Sequence, residues 1–170
     1  EYYNSVHGTA VEVLGWDNAA KDGLFTGNFD SLDDGRRMAE TLMDEGADVI
    51  MPVAGPVGLG TAAAIQERGG AWLVGVDTDW TVSAPEYADI TLTSVLKRLE
   101  LSVQTASRAV ATGSFTGGTR VGNLKNGEIG IAPIRNVDQA TIDSLTAEVA
   151  GVAKDIVSGK ITVHSFSTLP

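Results

Sequence analysis

Cysteine is absent from the 170 residues of this chain, which excludes disulfides, thiol nucleophiles and thiolate metal sites and leaves the redox compartment unmarked. Histidine is scarce. His7 and His164 lie at opposite ends with no acidic residue spaced for a shared metal, so they read as ordinary surface histidines, and neither a metal nor a cofactor is expected. Basic residues are outnumbered, 12 against 22 acidic, and the net charge of −10 gives a surface that repels phosphate backbones and anionic headgroups. A nucleic-acid or peripheral-membrane role is therefore not expected, whereas neutral or cationic partners are. No run of 18 apolar residues occurs, so no spanning helix is expected. The chain opens at Glu1 without methionine, signal peptide or lipidation motif, and we expect it to be a fragment. With 43% hydrophobic and 20% charged residues, it has the composition of a globular protein of about one domain.

What is present is an apolar run followed by a helical period, repeated. Residues 11–16 (VEVLGW) alternate like a half-buried strand. A helix follows the polar stretch 17–31, capped by Asp33 or Asp34, carried by Met38, Leu42 and Met43, and stopped by Gly46. The run 47–54 (ADVIMPVA) reads as a strand covered on both faces. A glycine-rich turn at 55–60 leads to a small-residue helix at 61–68, ended by Gly69 and Gly70, and then to a strand at 71–76, a strand-helix-strand unit for which parallel pairing is the default. Residues 90–95 predict another strand, and Leu96, Leu99, Val103, Ala106 and Val110 mark a helix ending near Gly113. Beyond the 113–118 linker, 119–124 and 128–134 suggest a hairpin, 138–158 the clearest amphipathic helix, and 160–166 a last strand. The whole predicts an α/β fold with a mostly parallel, Rossmann-like sheet whose ligands sit beyond the carboxyl ends of the strands.

Two loops stand at such ends, Gly55-Pro56-Val57-Gly58-Leu59-Gly60 after Ala54 and Asp77-Thr78-Asp79-Trp80 after Val76, and both are expected to open onto one edge of the sheet. Three readings compete. Glycines cradling a pyrophosphate, with Asp77 on the ribose, would bind a dinucleotide, although the order is G-x-x-G-x-G and Pro56 removes a donor. Asp77 and Asp79 as the paired carboxylates of a magnesium-dependent phosphatase would need a downstream acidic pair, and Asp33-Asp34 precedes them. The third reading is a ligand-binding lobe without chemistry, and the absence of histidine and cysteine near either loop suits it.

The run "NFDSLDDGRRMAETLMDEGADVIMPVAGPVGLG", with "WLVGVDTDW", "ITLTSVLKRLELSV" and "GGTRVGNLKNGEIGIAP", resembles the basic membrane lipoprotein family of ABC-transporter solute-binding proteins, purine nucleoside receptor type, over roughly residues 10–134. The resemblance implies a two-lobed, type I periplasmic-binding fold in an extracytoplasmic, membrane-anchored lipoprotein. Such a protein hands a nucleoside to an ABC permease and is not an enzyme. Residues 1–93 would be second-lobe α/β domain, 94–118 an interlobe crossing and helix, and 119–170 the completing hairpin, helix and strand. The N-terminal lobe would be missing. The resemblance further implies that Asp77 and Lys97 hold ribose hydroxyls and that the backbone of Gly55 faces the ligand. Met51 stands where many relatives stack an aromatic on the purine, and Trp80, where relatives often have glutamine, is a ligand contact, lid or packing residue. Phe25 and Phe29 are weaker candidates of the same kind. An effector-sensing domain of a transcription regulator, which shares the two-lobed fold, remains the alternative from another class.

Overall fold

The structure is a computed structural model that describes residues 2–163, in two compact units, Glu1–Ala71 and Trp72–Pro170, each considered by itself.

The first unit comprises helix α1 (Tyr2–His7), the two-residue strands β1 (Trp16–Asp17) and β2 (Asp22–Gly23), helix α2 (Leu32–Asp44), strand β3 (Val49–Ile50) and helix α3 (Val57–Arg68). β1 and β2 form an antiparallel pair, Trp16 opposite Gly23. The unit is built on the contact of α2 with α3. Ser31 starts α2 by accepting a hydrogen bond from the Asp34 amide at 3.2 Å, and Asp33 and Asp34 occupy the first turn, where the helix dipole favours negative charge. Gly46, at φ 99°, turns the chain out of the helix. The buried residues of α3 are mostly small, Gly58, Gly60, Thr61, Ala62 and Ala64, with Val57 and Ile65 beside them. A Cβ on Gly60 would lie 1.9 Å from the Leu32 carbonyl oxygen, and one on Gly35 would lie 2.0 Å from that of Val57, so the two backbones meet where only hydrogen fits. The Thr61 hydroxyl donates to the Gly35 carbonyl at 3.2 Å. At the rim Arg36 forks onto Glu67 at 2.7 and 2.8 Å, which holds the Glu67 carboxyl below its usual range, and Arg68 pairs with Asp44 at 2.7 Å.

Several sequence expectations are corrected here. The cap of α2 is Ser31, not Asp33 or Asp34, because the chain turns into the helix two residues earlier. α3 begins at Val57, not at 61, because Gly58 and Gly60 are buried residues of the helix, Gly60 packed on Leu32, instead of part of a turn. The alternation at 11–16 yields a ladder only at Trp16–Asp17; Val11 and Val13 are exposed, and Gly15, at φ 77°, breaks the extended run. Within 47–54 the ladder is confined to Val49–Ile50, with Ile50 buried and Val49, Met51 and Val53 exposed, so burial on both faces is not found. Pro52 cannot donate to a ladder.

The second unit comprises strand β4 (Trp72–Asp77), helix α4 (Trp80–Ser83), a 3₁₀ turn (Pro85–Ile90), strand β5 (Thr91–Lys97), helix α5 (Leu99–Ala111), strand β6 (Ile129–Ile131) and helix α6 (Gln139–Val157). β4 and β5 run parallel, with Val74 beside Thr93 and Asp77 beside Leu96, and β6 joins β5 antiparallel, Val95 opposite Ile131. Leu73, Trp80, Thr91, Ser94 and Ala132 are buried. The expected helix at 138–158 is α6 with its two caps, Asp138 accepting from the Thr141 amide at 3.0 Å. The expected hairpin is not found. Residues 119–124 form no strand, because Asn123 and Asn126 exchange side-chain-to-backbone bonds and turn the segment into a loop, and β6 takes β5 as its partner instead. The last expected strand is not formed at 160–163, and its remaining residues, with His164, lie outside the described ones.

Because nothing larger than hydrogen fits at the α2–α3 contact, Gly60→Ala should destabilise the chain by about 1–3 kcal/mol. Urea denaturation monitored by circular dichroism measures this, and a change below about 0.5 kcal/mol would show that the helices can separate freely.

Candidate functional site

Parallel pairing brings the carboxyl ends of β4 and β5 to one edge of the second unit, and each ends in a charged residue, Asp77 and Lys97. Lys97 is thus the last residue of a strand, and α5 begins two residues after it. The Lys97 Nζ lies 2.8 Å from Asp77 Oδ1, with side chains 62% and 48% exposed, so the ion pair is within reach of a solute. Asp77 has φ 71°, and the Thr78 amide donates to the Val76 carbonyl at 2.9 Å, closing a three-residue turn of the strained, positive-φ kind.

The residues after Asp77 are fixed individually. Asp79 caps α4, its Oδ1 accepting from the Thr81 amide at 3.1 Å and the Thr81 hydroxyl at 2.8 Å. Arg135 forks onto the same carboxylate at 3.3 and 2.9 Å. Burial pushes the Asp79 carboxyl up, but the hydrogen bonds from Thr81 and Arg135 together outweigh it and hold the group below its ordinary value. With both oxygens so engaged, Asp79 is unsuited to act as the acid or base of a phosphatase pair.

Trp80 is buried at 7% exposure; its amide donates to Ser94 Oγ at 3.1 Å and its indole N–H to the Val76 carbonyl at 3.0 Å. Its ring lies over Gly75, where a Cβ would stand 2.6 Å from the indole. Of the roles read from the sequence for Trp80, the structure assigns packing, since no ring face is open for stacking.

In the first unit, Gly55 has φ 58° and open space around it, the nearest atom to an added Cβ being the Phe29 carbonyl oxygen at 4.0 Å. Met51, Phe25 and Phe29 are exposed at 51%, 73% and 69%. A shallow groove of about 350 Å³ touches Phe25, Asp34, Arg37 and Met38 and includes neither Met51 nor Gly55. Because Gly58 and Gly60 are buried within α3, Gly60 against Leu32 of α2, they form no open phosphate cradle, which removes the basis of the dinucleotide reading. His7 stacks on Tyr3 with ring centroids 4.3 Å apart. The structure brings together Asp77 and Lys97, both singled out from the sequence, and adds Arg135 and Ser94, which the sequence did not single out. A buried serine within a strand is a weak signal, and nothing local couples Arg135 to Asp79 across 56 residues.

Comparison with known proteins gives concordant results. The family described as Bmp, ABC transporter substrate-binding protein PnrA-like, matches residues 24–166. The CD4+ T-cell-stimulating antigen of Listeria monocytogenes is 31% identical over 159 residues, covering 86% of this chain and 44% of its own length. Basic membrane protein A of Borreliella afzelii is 30% identical over 142 residues, 78% of this chain and 42% of that protein. An ABC transporter system solute-binding protein from Aeropyrum pernix superposes with a TM-score of 0.73 at 26% identity, covering 98% of this chain and 51% of the solved one. The chain therefore spans about half the length of the proteins it matches. The fold they share is the α/β one described above, a mostly parallel sheet flanked by helices.

A carboxyl held low in the fold contributes stability that is present above its unfolded pKa, about 3.9, and is lost as pH falls through its lower folded value. The thermal midpoint should therefore fall on acidification below about pH 4, and Asp79→Asn should flatten that decline. Midpoints measured from pH 2.5 to 7 test it; an unchanged slope in the variant would remove Asp79 from the balance.

Proposed function

We propose, from the premise that the chain belongs to the Bmp family of PnrA-like ABC transporter substrate-binding proteins, that it forms part of the binding site for a purine nucleoside, whose ribose is held by Asp77 and Lys97. The single observation that carries the reading is the solvent-open Asp77–Lys97 pair, 2.8 Å apart, at the carboxyl end of a parallel strand pair, where ligands of such sheets sit. A ribose offers vicinal hydroxyl donors, and an ionised carboxylate accepts them through charge-assisted hydrogen bonds. Lys97 balances the carboxylate and donates to a sugar oxygen. An uncharged solute suits a chain of net charge −10. Gly55 and Met51, both on the first unit, are included as ligand contacts on the family likeness alone, and Trp80 is left out because it is packed.

The activity is binding without chemistry. In the proposed whole protein another lobe supplies further ligand contacts, a permease of an ABC transporter receives the nucleoside, and a lipid anchor holds the assembly outside the cytoplasm. No helix of the described residues is long and apolar enough to cross a membrane.

Calorimetric titration of the protein, in the full length its gene encodes, is expected to show adenosine binding in the micromolar range or tighter, with dissociation constants on the order of 1 µM. Free adenine should bind more weakly, and Asp77→Ala should weaken adenosine binding about thirtyfold, roughly 2 kcal/mol. Equal affinity for nucleoside and free base would end the ribose assignment.

A further inference from the structure

We infer that Arg135 is a positioning residue for the Asp77–Lys97 site, acting through Asp79 to hold the backbone of Asp77 in its left-handed conformation. This rests on the reading of Asp77 and Lys97 as ligand contacts and adds a residue, distant in sequence, on which that site depends.

A non-glycine residue at φ 71° in a three-residue turn is strained, and such a conformation persists only where its surroundings over-determine it. Several ties surround it, one of them between the Thr78 and Ser83 hydroxyls at 2.9 Å. The Val76 carbonyl accepts from both the Thr78 amide, at 2.9 Å, and the Trp80 indole, at 3.0 Å. The Trp80 amide is held by Ser94 Oγ. Asp79 caps the short helix that carries Trp80. These ties lie within β4, α4 and β5. Arg135 adds a guanidinium from outside them, a bidentate hold on Asp79, the residue after the turn, by a residue beyond β6.

Arg135 is itself anchored, which is what a positioning group requires. Its amide donates to the Leu92 carbonyl of β5 at 2.8 Å, and its guanidinium also donates to the Pro133 carbonyl at 3.0 Å. The next residue, Asn136, donates to the Ala88 and Thr91 carbonyls at 2.7 and 2.9 Å, fixing the segment to the start of β5. The guanidinium therefore reaches Asp79 from a frame tied to the strand that ends in Lys97. Removing the fork leaves α4 capped and the Val76 and Ser94 bonds in place but takes away part of the support, so Asp77 relaxes more often to the ordinary half of backbone space, carrying its carboxylate off Lys97.

The test compares Arg135→Ala and Arg135→Lys with the unchanged protein, in the full length its gene encodes. Amide exchange at Thr78 and indole-proton exchange at Trp80 are followed by NMR, and adenosine affinity by calorimetry. Faster exchange at both positions is expected in Arg135→Ala while β5 amides keep their protection, with adenosine bound about tenfold more weakly. Arg135→Lys should recover only part of each effect, since an ammonium offers a point charge and no fork. Combined with Asp77→Ala, Arg135→Ala should cost no further affinity, a non-additivity that general destabilisation would not produce. Unchanged Thr78 and Trp80 exchange in Arg135→Ala, or additive losses in the double variant, overturns the inference while leaving the sugar reading intact. Unchanged adenosine binding in Asp77→Ala overturns the sugar reading, and the exchange data alone then decide whether Arg135 holds the turn.

Discussion

The Val76 carbonyl oxygen takes two N–H donors, one from the backbone of Thr78 and one from the indole of Trp80, and the geometry of the candidate site follows from that double acceptance. One donor folds the chain sharply at Asp77, and the other seats a buried aromatic ring beneath the fold. A carbonyl has two lone pairs, so both bonds form without competition. The ring in turn requires Gly75 under it and Ser94 beside it, because a larger residue at 75 would collide with the indole and the buried Trp80 amide needs an acceptor. Packing and polar satisfaction thus converge on one short stretch, and the exposed carboxylate is presented by a support that is itself buried.

The first unit solves a different problem by similar means. Its two helices meet backbone to backbone through Gly35 and Gly60, and the ion pairs at the rim close over that contact without being needed to create it. Exposed pairs of this kind contribute little individually. Of the glycines that in sequence look like a ligand cradle, Gly60 is the price of close helix packing, Gly58 is a buried residue of α3, and Gly55 alone of the three has a positive φ.

This contrast shows what was legible beforehand. Helical period located α2, α5 and α6 to within a few residues, because amphipathic spacing is a local property of the chain. The carboxyl ends of β4 and β5 were legible too, since apolar runs ending in Asp77 and near Lys97 are visible without knowing their neighbours. Strand pairing was less legible. Alternation at 11–16 and at 119–124 specifies a face, but a ladder needs a partner backbone, and that partner is chosen by the rest of the chain. The reach of Arg135 was not legible for the same reason, as its partner Asp79 lies 56 residues away in the sequence.

The left-handed backbone at Asp77 narrows the set of residues that can ever occupy the position. Glutamate keeps the charge, yet it lacks the short polar side chain that lets aspartate and asparagine tolerate this half of backbone space. Glycine and asparagine fit the backbone but bring no negative charge to set against Lys97. Of the two acidic side chains, aspartate meets both demands at the lower backbone cost, so the turn and the charge together favour it over glutamate at this position.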